Sequence, residues 1–556
     1  MKIFGVSHNR ESLIADLSAG IVLGIVALPL AIAFAIASGV KPEQGLYTAI
    51  IAGFVVAALG GSRFQVTGPT GAFIVVVYSI VSTYGYQGLA LATMMAGVMI
   101  LIMGLSGMGR LLKFVPYPLI VGFTSGIAVI VFSSQLNDLL GMGLTGVPAG
   151  FIDKWKVYLN NLERINLWAL GIGMLSIAFM FLIPKSRIPN SLIVIVFSTL
   201  SVSLFNIPVE TIETRFGGVP NSLPRFELIP ITLEAVRLLF SPALTIALLS
   251  AIESLLSATV ADGMTNTRHS PNKELISLGI GNILTPLFGG IPATGAIART
   301  ATNIRSGAHS PIAAMTHAVV LLVILLVLGD FAQKIPLAAL AGILIFIAYN
   351  MAEVPTFIKM FKAPGGDVVI MLTTFILTVV MDLTIAIEVG ILLSALIFLK
   401  RMESSTEVAL ITQEITKNLD EDLGSEIKDI PKNVEVFALE GPLFFGVIER
   451  FENAINRISD SREILILRMR NVPIIDAAGI HALSSFYEKL KSRKKHLILS
   501  GLRPQPKKAL IQSGVISNIG EQNCTTSTKL AIERAREISA GLFAPDLGDG
   551  KDNLFD

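Results

Sequence analysis

Residues 289–306 read GGIPATGAIARTATNIRS. The stretch lies between long apolar runs, yet it is too short and too polar to cross a bilayer, which takes roughly 20 apolar residues. Pro292 and a set of Gly and Ala residues precede a short helical pattern that carries one arginine, Arg299, in its first turns. Residues 66–76, VTGPTGAFIVV, repeat the motif. PTGA at 69–72 matches PATGA at 292–296, and Thr294 lies 224 residues after Thr70. A short segment broken by Pro and Gly that recurs in both halves of an apolar chain is the pattern of a transporter binding site. The same offset carries Glu253, the one acid deep in its apolar run, onto Pro29 in the first run, VALPLAIAFAIASG. Two seven-span repeats account for this, and because seven is odd the second is inverted relative to the first.

Composition agrees. The 556 residues are 52% hydrophobic with a net charge of +2, and the mean hydropathy is +0.69, values of a polytopic membrane protein embedded in a lipid bilayer. The near-zero net charge gives no reason to expect a nucleic acid partner. A single cysteine, Cys524, excludes a disulfide framework and a Cys-based metal site. The polar start, MKIFGVSHNRESLIADLSAG, does not read as a cleavable signal peptide, so the first span is expected to direct insertion.

The character of the chain changes near Lys400. The division expected is a cytoplasmic N-terminus (1–16), a transmembrane domain (17–400), a polar and partly helical linker (401–432), a soluble α/β domain (433–540) and a disordered tail (541–556). Candidate spans are 17–38, 44–61, 86–107, 115–140, 165–184, 189–206, 239–260, 272–289, 310–330, 334–352, 366–384 and 385–400, with Asp382 in the turn between the last two. The short segments near 69–83 and 294–306 bring the number to fourteen. With the N-terminus inside, the cytoplasmic loops hold Arg63, Arg110, Lys113, Lys185, Arg187, Arg268, Lys273, Arg305, Lys359, Lys362, Lys400 and Arg401. The external Lys154, Lys156, Arg215 and Arg225 sit in the two longest loops, where the positive-inside rule is weak. An even number of spans places the soluble domain in the cytoplasm.

As helices, the two short segments are roughly 22 and 18 Å long, too short for a hydrocarbon core of about 30 Å. Each must begin or end inside the membrane, where irregular backbone is tolerated only against protein or a cavity. Two helix N-termini facing each other offer free N–H groups and partial positive charge to an anion. The substrate-binding candidates are Thr70, Gly71, Ala72, Phe73, Gly295, Ala296, Ile297, Arg299 and Thr300, with Thr294 as a further hydroxyl donor. Gly71 and Gly295 would let the backbone approach a ligand. Arg299 is unfavourable for its own helix dipole, which makes an anion its expected partner, whereas Arg305 reads as an ordinary cytoplasmic residue. An intramembrane acid is expensive and marks function, so Glu253, flanked by Ser254 and Ser257, is the proton-coupling candidate. No Walker A, HExxH or GxSxG motif is present, and the six histidines show no ligand spacing. An enzyme, an ATP-driven pump and a metal site are therefore not expected, and the expected coupling ion is a proton without other cofactor.

The soluble region alternates short strands and helices: NVEVFALEGPLFFG, EILILRM and HLILSG as strands, and FGVIERFENAINRI, AAGIHALSSFYEKLKSR, PKKALIQSG and TKLAIERAREI as helices. The chain resembles the SulP family of anion transporters through GLYTAIIAG (45–53), GGSRFQVTGPTGAF (60–73), GFTSGI (122–127), 251–283 and GGIPATGAIARTATNIRSGAHSP (289–311). Its C-terminal part is similar to a STAS domain, with NVPIIDAAGIHAL (471–483) as the signature. The resemblance implies an all-α membrane domain of fourteen segments as a 7+7 inverted repeat with core and gate subdomains, a small cytoplasmic α/β STAS domain, and a homodimer. It also implies an anion held between the third and tenth helices and a possible protein partner for the STAS domain. Phosphoswitch STAS domains carry a serine after the aspartate, and here Ala477 follows Asp476. Sodium-coupled bicarbonate members carry aspartate at Glu253, threonine at Ile297 and no arginine at Arg299, so these residues argue against sodium. The expectation is a symporter in the cell inner membrane, moving sulfate or a C4-dicarboxylate such as fumarate or succinate with protons by elevator-like alternating access. The alternatives are a bicarbonate or chloride exchanger or channel, and a membrane-anchored STAS sensor.

Overall fold

The computed structural model describes residues 2–3, 6–7, 10–110, 116–148, 150–183, 190–218, 223–381, 383–404, 407–410, 430–431, 433–455 and 462–542. Lys113, Lys185, Arg187 and Asp382, which enter the expectations above, lie outside the described residues, as do most of the expected linker and the tail from residue 543. The chain divides into two compact units, Met1–Ser394 and Ala395–Asp556.

In chain order the first unit contains strands β1 (Lys2–Ile3) and β2 (Val6–Ser7), then α1 (Arg10–Ala37), α2 (Pro42–Leu59), β3 (Thr67–Gly68), α3 (Phe73–Leu105), α4 (Tyr117–Leu139) and α5 (Phe151–Leu159). There follow α6 (Leu167–Leu182), α7 (Asn190–Phe205), α8 (Ile212–Phe216), α9 (Leu233–Leu238), α10 (Phe240–Thr265), α11 (Pro271–Leu287), β4 (Thr294–Gly295) and α12 (Ile297–Arg305). The last are α13 (Pro311–Ala332), α14 (Leu337–Met351), α15 (Val354–Met360), α16 (Gly365–Val380) and α17 (Leu383–Ser404), which runs past the division between the units. Prolines at the first turn open α2, α11 and α13, where a missing N–H costs nothing. Asn166 caps α6 by accepting from the Trp168 N–H at 2.9 Å.

The expected short segment at 69–83 and the span after it form one continuous α3, broken at Gly85 (φ 67°, ψ −178°). Only glycine adopts that conformation at little cost. With α3 counted as two segments and the short helices α5, α8, α9 and α15 set aside, seven helices from α1 to α7 are followed by seven from α10 to α17. The packing repeats as well. α1 lies on α13 as α10 lies on α3, α2 on α13 as α11 on α3, and α4 on α16 as α14 on α6. The first two relations build the core subdomain and the third builds the gate, with α4 against α14 across the gate's centre. The α3–α11 crossing depends on Gly97 and Gly279. A Cβ on either would sit 2.8 Å from the other's carbonyl oxygen, so only glycine permits this approach.

Six helices among the described residues are long and apolar enough to span a bilayer, and four shorter apolar ones accompany them. Their outward faces are apolar too: Leu182 is 79% and Phe205 76% exposed. A soluble monomer does not present such continuous apolar surface, and lipid is the solvent that fits it.

The second unit holds β5 (Glu407–Leu410), β6 (Val434–Glu440), α18 (Ile448–Ile455), β7 (Ile464–Asn471), α19 (Ala477–Ser492), β8 (His496–Ser500), α20 (Pro504–Gln512), α21 (Val515–Ile519), β9 (Cys524–Thr525) and α22 (Thr528–Leu542). The sheet order is β5-β6-β7-β8-β9, with β5 antiparallel and the other pairs parallel. Residues alternate between faces. Leu465, Leu467 and Leu499 meet Phe451 and Leu483 on one side, and Ile464, Ile466 and Ile498 meet Ala531 and Ile532 of α22 on the other. The expected linker is corrected here, because residues 407–410 belong to the sheet. Their pairing partner, β6, lies some 25 residues on, a contact that local pattern does not reveal. α21 and β9 were also not expected. Asp476 caps α19, accepting from the Gly479 N–H at 2.8 Å.

Candidate functional site

The two Pro/Gly motifs meet. β3 and β4 pair antiparallel, Thr67 opposite Gly295 and Gly68 opposite Thr294. Carried one step further, the register sets Pro69 opposite Ala293, which is its equivalent at the offset of 224. The local two-fold axis therefore passes through the motifs, and α3 and α12 start from opposite ends of one short ladder. The first bond within α12 runs from the Thr300 N–H to the Ala296 carbonyl (2.9 Å), so the N–H groups of Ile297, Ala298 and Arg299 have no partner in their own helix. At α3 the Phe73 and Ile74 N–H groups donate to Thr70 O and Gly71 O, both at 3.2 Å.

α10 supports this ladder along one face. Thr294 Oγ1 donates to Ser250 O (2.8 Å), Gln65 Nε2 donates to Ser254 Oγ (2.5 Å), and Ser257 Oγ and Thr300 Oγ1 lie 3.1 Å apart. Thr300 Oγ1 also accepts from the Val66 N–H at 3.1 Å. Thr294 and Thr300 are thus fully buried and engaged, holding the ladder in place of the ligand role expected for them. Ser254 and Ser257 likewise brace Gln65 and Thr300, not Glu253.

Arg299 and Glu253 converge on the same turn from different sides. Arg299 is buried, and its Nη2 donates to the Pro69 carbonyl. The Thr70 hydroxyl donates to Glu253 Oε2 at 3.2 Å. Among the described residues no ion pair joins Arg299 to Glu253. Gly68 makes room for the guanidinium, since a Cβ there would lie 2.5 Å from Nη1. The space beside Gly295 is taken by the Gln65 amide, 2.0 Å from where a Cβ would stand. That glycine therefore serves packing in place of the ligand approach expected. Thr70 and Glu253 remain partly exposed, Ile297 is 44% exposed, and Ala72, Phe73 and Ala296 are buried. Glu388 is exposed on α17.

Four functional-looking residues escaped the sequence reading. Asp16 on α1 is fully buried and accepts from the His309 and Ser310 N–H groups (2.6 and 3.0 Å) and from Ser310 Oγ (2.6 Å). Glu274 on α11 accepts from the Gly61 and Ser62 N–H groups at 2.7 and 2.9 Å. Gln65 braces the ladder. His317 on α13 is fully buried and lies against the Leu23 backbone of α1. A lone ionisable residue in the apolar run IAAMTHAVVLL was the available signal for His317.

Residues 13–374 match the sulfate permease family and residues 427–531 match the STAS domain. YvdB of Bacillus subtilis (strain 168), provisionally named as a sulfate transporter, is 40% identical over 520 residues, 93% of this chain and 96% of its own. The bicarbonate transporter BicA of Picosynechococcus sp. is 30% identical over 585 residues, 99% of this chain and 98% of its own. The structure of murine Slc26a9 covers 96% of this chain, and 92% of that protein is matched, with a TM-score of 0.83 at 17% identity, so it shares the fold. Permeases, not enzymes, make up this family. With the membrane part and the STAS part matched in the order found here, the chain belongs to the sulfate permease family.

Proposed function

We propose that the protein is a secondary active transporter that moves a small anion together with protons. The anion lies where the N-termini of α3 and α12 converge, with Arg299 supplying fixed positive charge and Glu253 the proton site. The observation that carries this reading is the pair of consecutive residues Pro69 and Thr70, one bonded to Arg299 and the next to Glu253. Any anion that draws on the Arg299 guanidinium or the α3 backbone acts on the residue that holds the carboxyl, which gives coupling a physical route. Thr70, Gly71, Ala72, Phe73, Ala296 and Ile297 line the approach in this reading. Gly295 and Thr300 hold its frame, and Ser254 and Ser257 brace the coupling helix.

Sulfate and C4-dicarboxylates are the proposed cargo. Bicarbonate is a second reading, favoured by the 30% identity to BicA along the whole chain. The reading places the protein in the inner membrane with both termini cytoplasmic, working as a homodimer by elevator-like movement of core against gate. Purified protein in proteoliposomes should accumulate one member of a panel of radiolabelled sulfate, bicarbonate, fumarate, succinate and chloride when an inward proton gradient is imposed. Equal uptake with and without the gradient would sink symport and favour a channel or exchanger. Normal ligand binding with zero flux would favour a sensor. Mass measurement in nanodiscs that returned monomers would remove the dimer.

A further inference from the structure

Lys154 of α5 is 4% exposed, and no carboxylate among the described residues pairs with it. A cavity of about 200 Å³ lies beside it. Ile74, Tyr78 and Ser79 of α3 line this space from the core, Ser134 of α4 and Thr378 of α16 from the gate, and Lys154 from α5. α5 is fastened to both sides. The Tyr78 hydroxyl donates to the Val147 carbonyl, just before α5, at 2.6 Å, and Trp155 Nε1 of α5 donates to Ser133 Oγ of α4 at 3.1 Å. Ala37, the last residue of α1, also lines the cavity, which places it toward the end of the membrane domain where α1 finishes. α3 leaves the candidate site at Phe73, and Tyr78 stands about 7.5 Å farther along its axis at 1.5 Å per residue. With a cytoplasmic N-terminus before α1, this is the external side.

A buried ammonium without a counter-charge is costly. The Tyr78 ring, 5.2 Å from Lys154 Nζ, offsets only part of that cost. Burial pulls the ammonium down to about 8, so it still carries its charge at pH 7. No carboxylate among the described residues lines the cavity. Asp153, in the first turn of α5, is exposed and paired with Lys156 at 3.0 Å. Gly150 and Phe151 at the start of α5 also line the space, and a helix N-terminus brings unpaired N–H groups and partial positive charge. The Ser134 and Thr378 hydroxyls donate to carbonyls of their own helices at 2.8 and 2.7 Å. Lys154, Ser79 and the first turn of α5 are therefore the groups that face a ligand. A cation, a hydroxyl and helix N–H groups around a space free of acids are ligands for an anion.

We propose that this cavity is a second anion site, which holds a small anion of the cargo class between core and gate before it reaches Arg299. Its volume is below the roughly 300–1,000 Å³ of sites for drug-sized ligands and suits sulfate, bicarbonate or a short dicarboxylate. Fixed positive charge there raises the local anion concentration at the crevice. The place of this station in transport rests on the proposed function, whereas its chemistry does not.

The test is equilibrium binding of radiolabelled sulfate and succinate to the full-length protein in phosphatidylcholine nanodiscs, for the wild type, Lys154→Gln, Ser79→Asp and Arg299→Met. Ser79 is half-buried, and Ser79→Asp fills the cavity with a carboxylate while keeping the lysine, so the test stands even if Lys154→Gln does not fold. The expected result, for at least one of the two anions, is two bound per wild-type chain and one per chain of each variant. Lys154→Gln should also raise the KM of uptake several-fold while kcat is kept. Wild-type binding that neither Lys154→Gln nor Ser79→Asp changes overturns the station and leaves the Arg299 site standing. A site lost in Lys154→Gln and Ser79→Asp, with nothing lost in Arg299→Met, supports the station and removes the role given to Arg299. No binding of either anion to the wild type overturns the station, as does an unchanged KM in Lys154→Gln. If phosphatidylglycerol in the disc abolishes the binding that depends on Lys154, the cavity takes a lipid headgroup and the proposal fails.

Discussion

Arg299 and Glu253 do not pair with each other; consecutive residues stand between them, Arg299 donating to the Pro69 carbonyl and Glu253 accepting from the Thr70 hydroxyl. A direct ion pair would hold both charges against each other and leave little for an anion or a proton. The indirect arrangement keeps each available and ties both to one turn. Glu253→Gln keeps the shape and the Thr70 contact but removes the titrating group. Accumulation driven by an imposed proton gradient should fall about ten-fold or more, as expected for a functional intramembrane acid, while anion binding persists. Arg299→Met should lower both. Gradient-driven accumulation that survives Glu253→Gln would remove the proton role, and unchanged affinity in Arg299→Met would remove the anion role.

Gly68 and Gly71 separate two reasons for glycine at this turn. A Cβ on Gly68 meets the buried guanidinium of Arg299 at 2.5 Å, and that group is anchored to the Pro69 carbonyl beside it. A Cβ on Gly71 meets the Met351 sulfur at 3.0 Å, and a methionine side chain can yield. Gly68→Ala should therefore weaken anion affinity about ten-fold or more, since one displaced charge-assisted contact is worth at least 1.4 kcal/mol. Gly71→Ala should weaken it several-fold less. Uptake kinetics of the two variants side by side check the order, and the reverse order would mean that Arg299 does not set affinity.

The motif at 289–306 and its partner at 66–76 were legible because Pro and Gly are rare inside apolar runs and announce themselves without help from the fold. The inverted repeat followed from the offset, and the β3–β4 pairing supplies its physical form. What could not be read was how hydroxyls and amides are spent. Thr294 and Thr300 look like free donors in a string of letters, and only the neighbouring face of α10 shows them occupied. Asp16 stayed hidden for the opposite reason: it sits near a polar N-terminus, where an acid is unremarkable, and its partners at 309–310 are almost 300 residues away. β5 was missed because an edge strand takes its identity from the strand beside it.

Gly85 holds the kink in α3 by conformation alone. It has φ 67° and nothing within 4 Å of a would-be Cβ, so Gly85→Ala should destabilise by about 1–2 kcal/mol, the cost of a left-handed φ for an L-residue. Gly171 on α6 is equally uncrowded but lies in regular helix. There the same change should stabilise by about 0.5–1 kcal/mol. Thermal unfolding in one detergent should show shifts of opposite sign. Shifts of the same sign would mean that the kink is not conformationally demanding.

Lys154 on α5 is 4% exposed and has no carboxylate partner among the described residues; its Nζ lies 5.2 Å from the centre of the Tyr78 ring. Burial pulls its ammonium down to about 8 from 10.5. The sign follows from linkage: below about 8 both folded and unfolded chains carry the charge, and the folded state bears the full penalty. Between about 8 and 10.5 the unfolded chain binds more protons, so stability rises with pH. The full shift would correspond to about 3 kcal/mol at 1.36 kcal/mol per unit, offset by a cation–π contact of about 0.5–2 kcal/mol. Lys154→Met should therefore raise the unfolding temperature at pH 7 by an amount equivalent to about 1–2 kcal/mol, and the gain should shrink toward pH 10. A variant less stable than the wild type at pH 7 would show instead that the charge is needed where it sits, held by something the folded chain gains in the membrane.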